Sequence, residues 1–163
     1  MGAMLNNIPA TIVYDRSFIQ SVDSSGSQGT ITYTGTTGLM IDSNSSTYYK
    51  IQASVSGATA PYSLMVIDYG KIFFNCQLSY KLDYYCELTN GSASTYYLAY
   101  SIDNSNWTVI HTGTIATAET KSYNEATNFL NARYIKIGID SPNGGSPNMN
   151  WIKAYEVRFM GSG

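Results

Sequence analysis

Two kinds of residue cluster in this chain of 163 residues could do chemistry. The first sets an aromatic ring beside amides and charges on a loop. That combination recognises sugars, because the apolar C–H patches of a pyranose stack on the ring while its hydroxyls take paired hydrogen bonds. Three segments offer it: Tyr14-Asp15-Arg16-Ser17-Phe18, Tyr80-Lys81-Leu82-Asp83-Tyr84-Tyr85, and Asn143 through Trp151. Within them Arg16, Lys81, Asp83, Tyr84, Tyr85, Asn148, Asn150 and Trp151 are the candidate ligand-binding residues. The second cluster is the loop Asp42-Ser43-Asn44-Ser45-Ser46-Thr47, which gathers a carboxylate, an amide and several hydroxyls. Such a loop suits a hard cation such as calcium, which takes about six to eight oxygen ligands. On its own it reads more simply as a solvated turn capped by Asp and Asn.

Catalytic machinery is harder to assemble. His111 is the only histidine, so a Ser-His-Asp or Cys-His mechanism would rest on it alone. It sits in the strand-like alternation Trp107-Thr108-Val109-Ile110-His111-Thr112, where an ordinary sheet residue is the simpler reading. The carboxylates Asp15, Asp68, Asp83, Glu87, Asp103 and Asp140 fall mostly in turn contexts rather than as a paired acid and base. No enzyme activity is expected. Cys76 and Cys86 flank Ser79 to Asp83; if those segments pair as a hairpin centred on Lys81, the sulfurs face each other and a disulfide can form. Two buried free thiols are the equal alternative.

The elements that must position these residues are strands. Charged residues are 12% of the chain, about half the usual globular share, whereas hydrophobic residues are 44%. The polar surface is therefore Ser, Thr, Asn, Gly and Tyr, a composition that favours strands and turns over helices. β-rich segments recur at Thr11–Tyr14, Gly29–Thr34, Tyr48–Ala53, Tyr62–Asp68, Ile72–Tyr80, Tyr84–Thr89, Ser94–Ile102, Trp107–Thr112, Arg133–Ile139 and Trp151–Met160. In Tyr134-Ile135-Lys136-Ile137-Gly138-Ile139 the isoleucines share one face and Lys136 takes the other. The same period places Tyr155, Val157 and Phe159 together. Turn chemistry at Asp68-Tyr69-Gly70, Asn90-Gly91, Asp103-Asn104-Ser105-Asn106 and Pro142-Asn143-Gly144-Gly145 predicts strand ends. Each of the pairs Tyr48-Tyr49, Tyr84-Tyr85 and Tyr96-Tyr97 places one ring in the core and one outside. A short helix is predicted around Glu119 to Leu130, where Ala126, Phe129 and Leu130 have helical spacing.

One domain over residues 1–163 is the expected organisation, with Met1-Gly2-Ala3-Met4 and Gly161-Ser162-Gly163 resembling cloning scars. A net charge of −2 with no Lys/Arg run argues against nucleic acid. No apolar run reaches the length of a membrane span. Sparse charge and fifteen tyrosines suit an extracellular surface, and Asn44-Ser45-Ser46, Asn90-Gly91-Ser92 and Asn106-Trp107-Thr108 are glycosylation sequons.

Five motifs in order carry a resemblance: Leu39 through Tyr49, Met65-Val66-Ile67-Asp68-Tyr69-Gly70, Tyr97 through Trp107, Ala132-Arg133-Tyr134-Ile135-Lys136-Ile137, and Tyr155 through Gly161. Together they resemble the discoidin-like, galactose-binding-like family, which includes many carbohydrate-binding modules; the resemblance is strongest over residues 38–161. It implies an all-β fold, an antiparallel β-sandwich of jelly-roll type. It also implies a structural calcium ion held by Asp42, Asn44, Thr47 and Glu156, although Ser43 stands where the family often has Gly and Tyr49 where it has Trp. Ligand loops at one end of the sandwich would include Lys81 through Tyr85, and Trp107 would be packed. The expected function is a non-catalytic, lectin-like module of an extracellular or virion-surface protein that binds a glycan or cell-surface glycoconjugate, as in cell adhesion. The alternative is a structural domain of a viral fibre, spike or surface layer, self-associating as a homo-oligomer or built into a larger multidomain protein.

Overall fold

The computed structural model describes residues 11–12, 19–20, 29–40, 42, 44–55, 62–86, 94–128, 130–140 and 148–161. Alternation of apolar and polar side chains carries these residues through antiparallel strands: β1 (Thr11–Ile12), β2 (Ile19–Gln20), β3 (Gly29–Thr34), β4 (Tyr49–Val55), β5 (Tyr62–Cys86), β6 (Ser94–Ser101), β7 (Thr108–Ile115), β8 (Glu119–Ala126), β9 (Leu130–Asp140) and β10 (Asn148–Gly161). A single 3-10 turn, Thr37–Met40, follows β3. No helix among the described residues is long and apolar enough to cross a membrane.

The strands form a sandwich whose two sheets share β5. The first sheet runs β3-β4-β10-β5-β8, with β1 added to the end of β10; the second runs β2-β5-β9-β6-β7. The first half of β5 pairs with β9 and its second half with β10 and β8, so one 25-residue strand crosses from layer to layer. Facing side chains fill the space between. Phe159 of β10 lies 4.7 Å from both Tyr69 and Phe73 of β5, and Tyr84 lies 5.0 Å from Tyr96 of β6. Ile135, Ile137 and Ile139 are all fully buried, as their spacing predicts.

β5 replaces three predicted strands, and Asp68-Tyr69-Gly70 bends it instead of ending it. Gly70 has φ 76°, a left-handed conformation that suits glycine, and its N–H donates to Asp68 Oδ1 at 2.8 Å. Arg133 of β9 grips the same carboxylate through Nε and Nη2 at 2.7 and 2.8 Å, holding the Asp68 carboxyl below the usual range. Pairing with β9 then shifts register twice before Cys76, where Asn75 also takes positive φ. The turn residues therefore form irregularities within a strand rather than its ends.

This continuity removes the hairpin centred on Lys81 and with it the disulfide. Lys81 lies mid-strand, opposite Glu156 on one side and Asn124 on the other. Cys76 and Cys86 are both buried on the same strand, about 33 Å apart at the rise of an extended chain. A bridge needs Cα atoms within roughly 7 Å.

The helix predicted around Glu119 to Leu130 is also overturned. Residues 119–126 form β8, with Glu119, Lys121 and Tyr123 half-buried and Thr120, Ser122 and Asn124 exposed. That period of two decides for a strand, and the pairing of β8 with β5 fixes it. In β10, a register shift between Ala154 and Glu156 turns Tyr155 away from the buried Val157 and Phe159. Tyr155 consequently joins the outer face.

Candidate functional site

Four of the sequence-derived ligand residues meet on the outer face of the first sheet. Alternation along β5 points Lys81, Asp83 and Tyr85 outward, and along β10 it does the same for Trp151, Lys153 and Tyr155. Trp151 and Tyr85 are register partners, and their rings stack at 5.2 Å with 13° between planes. On the other flank of β10, β4 contributes Lys50, and the preceding residue Tyr48 meets Tyr155 edge-on at 5.3 Å. Ammonium groups sit among the rings. Lys50 lies 5.4 Å from the Trp151 ring centre, Lys153 lies 4.9 Å from Trp151 and 4.7 Å from Tyr48, and Lys81 lies 4.7 Å from Tyr155.

The carboxylates on this face are engaged at once. Tyr155 donates its hydroxyl to Asp83 Oδ2 at 2.9 Å; burial, followed by that bond, pushes the phenol up to about 12. Glu156 accepts from Ser79 Oγ at 3.2 Å and pairs with Arg158. Lys50 and Lys153 stand directly opposite each other across β4 and β10, and neither forms an ion pair with a described carboxylate. Desolvation first and Lys153 second lower the Lys50 ammonium from its ordinary range. The face is thus a half-exposed aromatic ridge with uncompensated positive charge along one flank.

The residues expected to hold calcium have their oxygens turned to other partners. Asp42 Oδ1 accepts the Asn44 N–H at 2.8 Å and Oδ2 accepts the Thr47 hydroxyl at 2.6 Å, which holds its carboxyl below the ordinary range. Asn44 Oδ1 accepts the Ser46 N–H at 3.0 Å. Glu156 is engaged with Ser79 and Arg158 instead of the loop. The cation at the loop is the chain's own: Lys81 Nζ donates to the Ser45 carbonyl at 2.7 Å. A divalent ion there would have to displace this ammonium and break the Asp42 cap, so the donor set as arranged does not fit calcium.

Tyr84 and Asn150 leave the candidate ligand set, since both are fully buried. Parity explains Tyr84: it points into the sandwich, where it donates to the Tyr97 carbonyl at 3.2 Å and packs on Tyr96, Tyr123 and His111. Asn150 is likewise an inward position of β10, one residue from outward Trp151. Arg16 and the side chain of Asn148 lie outside the described residues, as do the predicted turns at Asn90-Gly91 and Pro142 to Gly145. In the three tyrosine pairs, Tyr49, Tyr84 and Tyr96 are buried, and Tyr48, Tyr85 and Tyr97 are half-exposed, as predicted. Trp107 is half-buried under Lys136, whose Nζ is 4.0 Å from its ring centre.

His111 belongs to this core cluster. It stacks on Tyr123 at 4.2 Å, and its ring nitrogens face the hydroxyls of Tyr84 and Tyr80 at 3.3 and 3.4 Å. Burial pushes the imidazole down despite the opposing pull of Glu125. Its neighbours are phenols, which burial drives upward, so no activated nucleophile stands beside it.

A concavity away from that ridge escaped the sequence reading. A cleft of about 560 Å³ at one end of the sandwich is lined by Asn75, Tyr100, Ile102, Asp103, Asn106 and Asn131, among others. Its carboxylate is already engaged, because Asp103 accepts from the N–H groups of Ser105 and Asn106 at 2.8 Å each and from the Asn106 amide at 2.7 Å. The only signal in the sequence was the Asp103 to Asn106 turn; its neighbours Asn75 and Asn131 arrive from the irregular stretch of β5 and its partner.

No curated protein matches the chain. Among solved structures, CBM32-3 from a family 31 glycoside hydrolase of Clostridium perfringens is similar at 22% identity, covering 86% of this chain and 94% of that one, with a TM-score of 0.44. The CBM32 of AlyQ, solved in complex with 4,5-unsaturated mannuronic acid, is similar at 21% identity over 82% of this chain and 96% of that one, with a TM-score of 0.38. A family 89 glycoside hydrolase from Clostridium perfringens matches at 20% identity over 82% of this chain but 14% of its own, with a TM-score of 0.42. The F5/8 type C domain model matches residues 21–158, most of the sequence, and the chain belongs to that family.

Proposed function

We propose that this chain is a non-catalytic carbohydrate-binding module that holds a glycan against the outer face of its first sheet. The observation that carries the reading is the Tyr85–Trp151 stack, half-exposed on that face and bordered by Lys50, Lys153 and Asp83. It joins apolar ring surface to polar groups within hydrogen-bonding reach of a sugar's hydroxyls. Membership of a family that includes many carbohydrate-binding modules supports the reading. Sparse charge supports an extracellular setting, in a secreted, cell-surface or virion-surface protein where adhesion to glycoconjugates would be the task.

A glycan array followed by titration calorimetry tests the proposal. The wild-type chain is expected to bind at least one glycan, and Trp151→Ala to weaken that binding about tenfold while leaving the melting temperature nearly unchanged. No binding to any glycan, or equal affinity in Trp151→Ala and Tyr85→Ala, overturns it. A stable oligomer that buries Tyr85 and Trp151 would favour the assembly reading instead.

A further inference from the structure

Resting on that reading, we infer that the glycan is an acidic polysaccharide, a polymer of uronic acids lying across Trp151 with its carboxylates on Lys50 and Lys153. The first reason is the pairing of like charges. Lys50 and Lys153 are direct partners on neighbouring strands, an arrangement that destabilises a sheet unless an anion lies between them. Nothing among the described residues neutralises the pair. Asp83 is also opposite Lys153, across β5, yet it takes the Tyr155 hydroxyl and forms no ion pair.

The second reason is where the charge lies. The whole chain carries −2, with nine cationic side chains in total, yet among the described residues three ammonium groups share this one face with one carboxylate outside any ion pair, that of Asp83. Glu156 and Arg158 on the same face neutralise each other. The charge on the face is thus opposite in sign to that of the molecule, which is how a surface selects an anionic ligand.

Shape completes the argument. The ridge from Trp151 to Tyr155 spans about 13 Å along β10 and continues onto Tyr85 and Tyr48 on either side. Such a surface is longer than one sugar ring, and aromatic and cationic groups alternate along it. A polymer with a ring and a carboxylate in every repeat matches that alternation. Neutral hydroxyls would leave the ammonium pair unanswered.

Matched polymers test the inference: polygalacturonate and polymannuronate, each beside its carboxyl-reduced neutral form, with single-stranded oligo-dT as a non-sugar polyanion. Wild type is expected to bind one of the uronates about tenfold more tightly than its neutral counterpart at low salt, with the preference shrinking as salt rises. The Lys50→Gln/Lys153→Gln double variant should lose that preference while its melting temperature holds or rises, since the like-charge pair is gone. Equal binding of charged and neutral forms, lost in Trp151→Ala but unaffected in the double variant, overturns the acidic class and leaves sugar recognition standing. Failure of all these polymers together with every neutral glycan overturns both. Oligo-dT binding as tightly as the uronates overturns the inference by showing a surface that reads only charge.

Discussion

The two sides of β5 make opposite uses of tyrosine. On the inner side Tyr80 and Tyr84 join Tyr96, Tyr123 and His111 in a packed cluster whose hydroxyls bond to one another, to Glu125 and to the Tyr97 carbonyl. On the outer side, one residue along, Tyr85 stacks on Trp151 in partial contact with solvent. The chemistry of the rings is the same. Strand parity alone decides which ring is structure and which is available to a ligand.

The largest break in that comparison comes from truncating each side in turn. Tyr84→Ala is expected to cost about 3–5 kcal/mol, since it empties a fully buried site and strands the polar groups around it. Tyr85→Ala should cost under about 1 kcal/mol and show itself in glycan affinity instead. Chemical denaturation of both variants reads the contrast, and similar losses at the two sites would refute it.

A smaller effect separates the sides by pH. Because burial lowers the folded-state pKa of His111, the unfolded chain binds a proton first as pH falls. Stability from this residue is therefore complete above the unfolded value of about 6.5 and declines as pH drops from there through the folded pKa. Tyr80, Tyr84, Tyr96 and Tyr123 face the ring, and among the described residues Glu125 favours its charged form. Replacing it, His111→Phe, should flatten the melting temperature between pH 5 and about 6.5. An unchanged slope would place the titration elsewhere.

The smallest effect lies at the rim of the outer face. Lys81→Met removes the ammonium from the Ser45 carbonyl and should cost about 0.5–1 kcal/mol. Calcium is expected to leave the wild-type melting temperature unchanged. A rise of several degrees on adding calcium would show that the loop exchanges its lysine for the metal.

Much of this was legible from local pattern. The isoleucine stripe of β9 and the divided tyrosine pairs follow from a period of two, which a sequence displays directly. What escaped depended on partners far along the chain. Asp68-Tyr69-Gly70 carries ordinary turn chemistry, yet Arg133 locks it into a bend of a continuing strand, and of the two alternatives for Cys76 and Cys86 the hairpin with its disulfide falls away with that continuity. Ala126 and Leu130 imitated a helix because residues from two different strands, β8 and β9, fell at helical spacing. The candidate face was half visible: Lys81, Asp83, Tyr85 and Trp151 were named from composition, whereas Tyr48, Lys50, Lys153 and Tyr155 join them only through the register of β4, β5 and β10 and the irregularity after Ala154.

The shared strand sets how this molecule comes apart. β5 lies between β10 and β8 in one layer and between β2 and β9 in the other, so opening either layer takes hydrogen-bond partners from the second. Fraying of one sheet is therefore not a separate event, and the paired amides of β5 on either side of its irregular stretch should exchange with solvent only by global opening. A glycan that grips the β4–β10–β5 face closes the same ladders, so occupancy on one layer slows proton exchange on both.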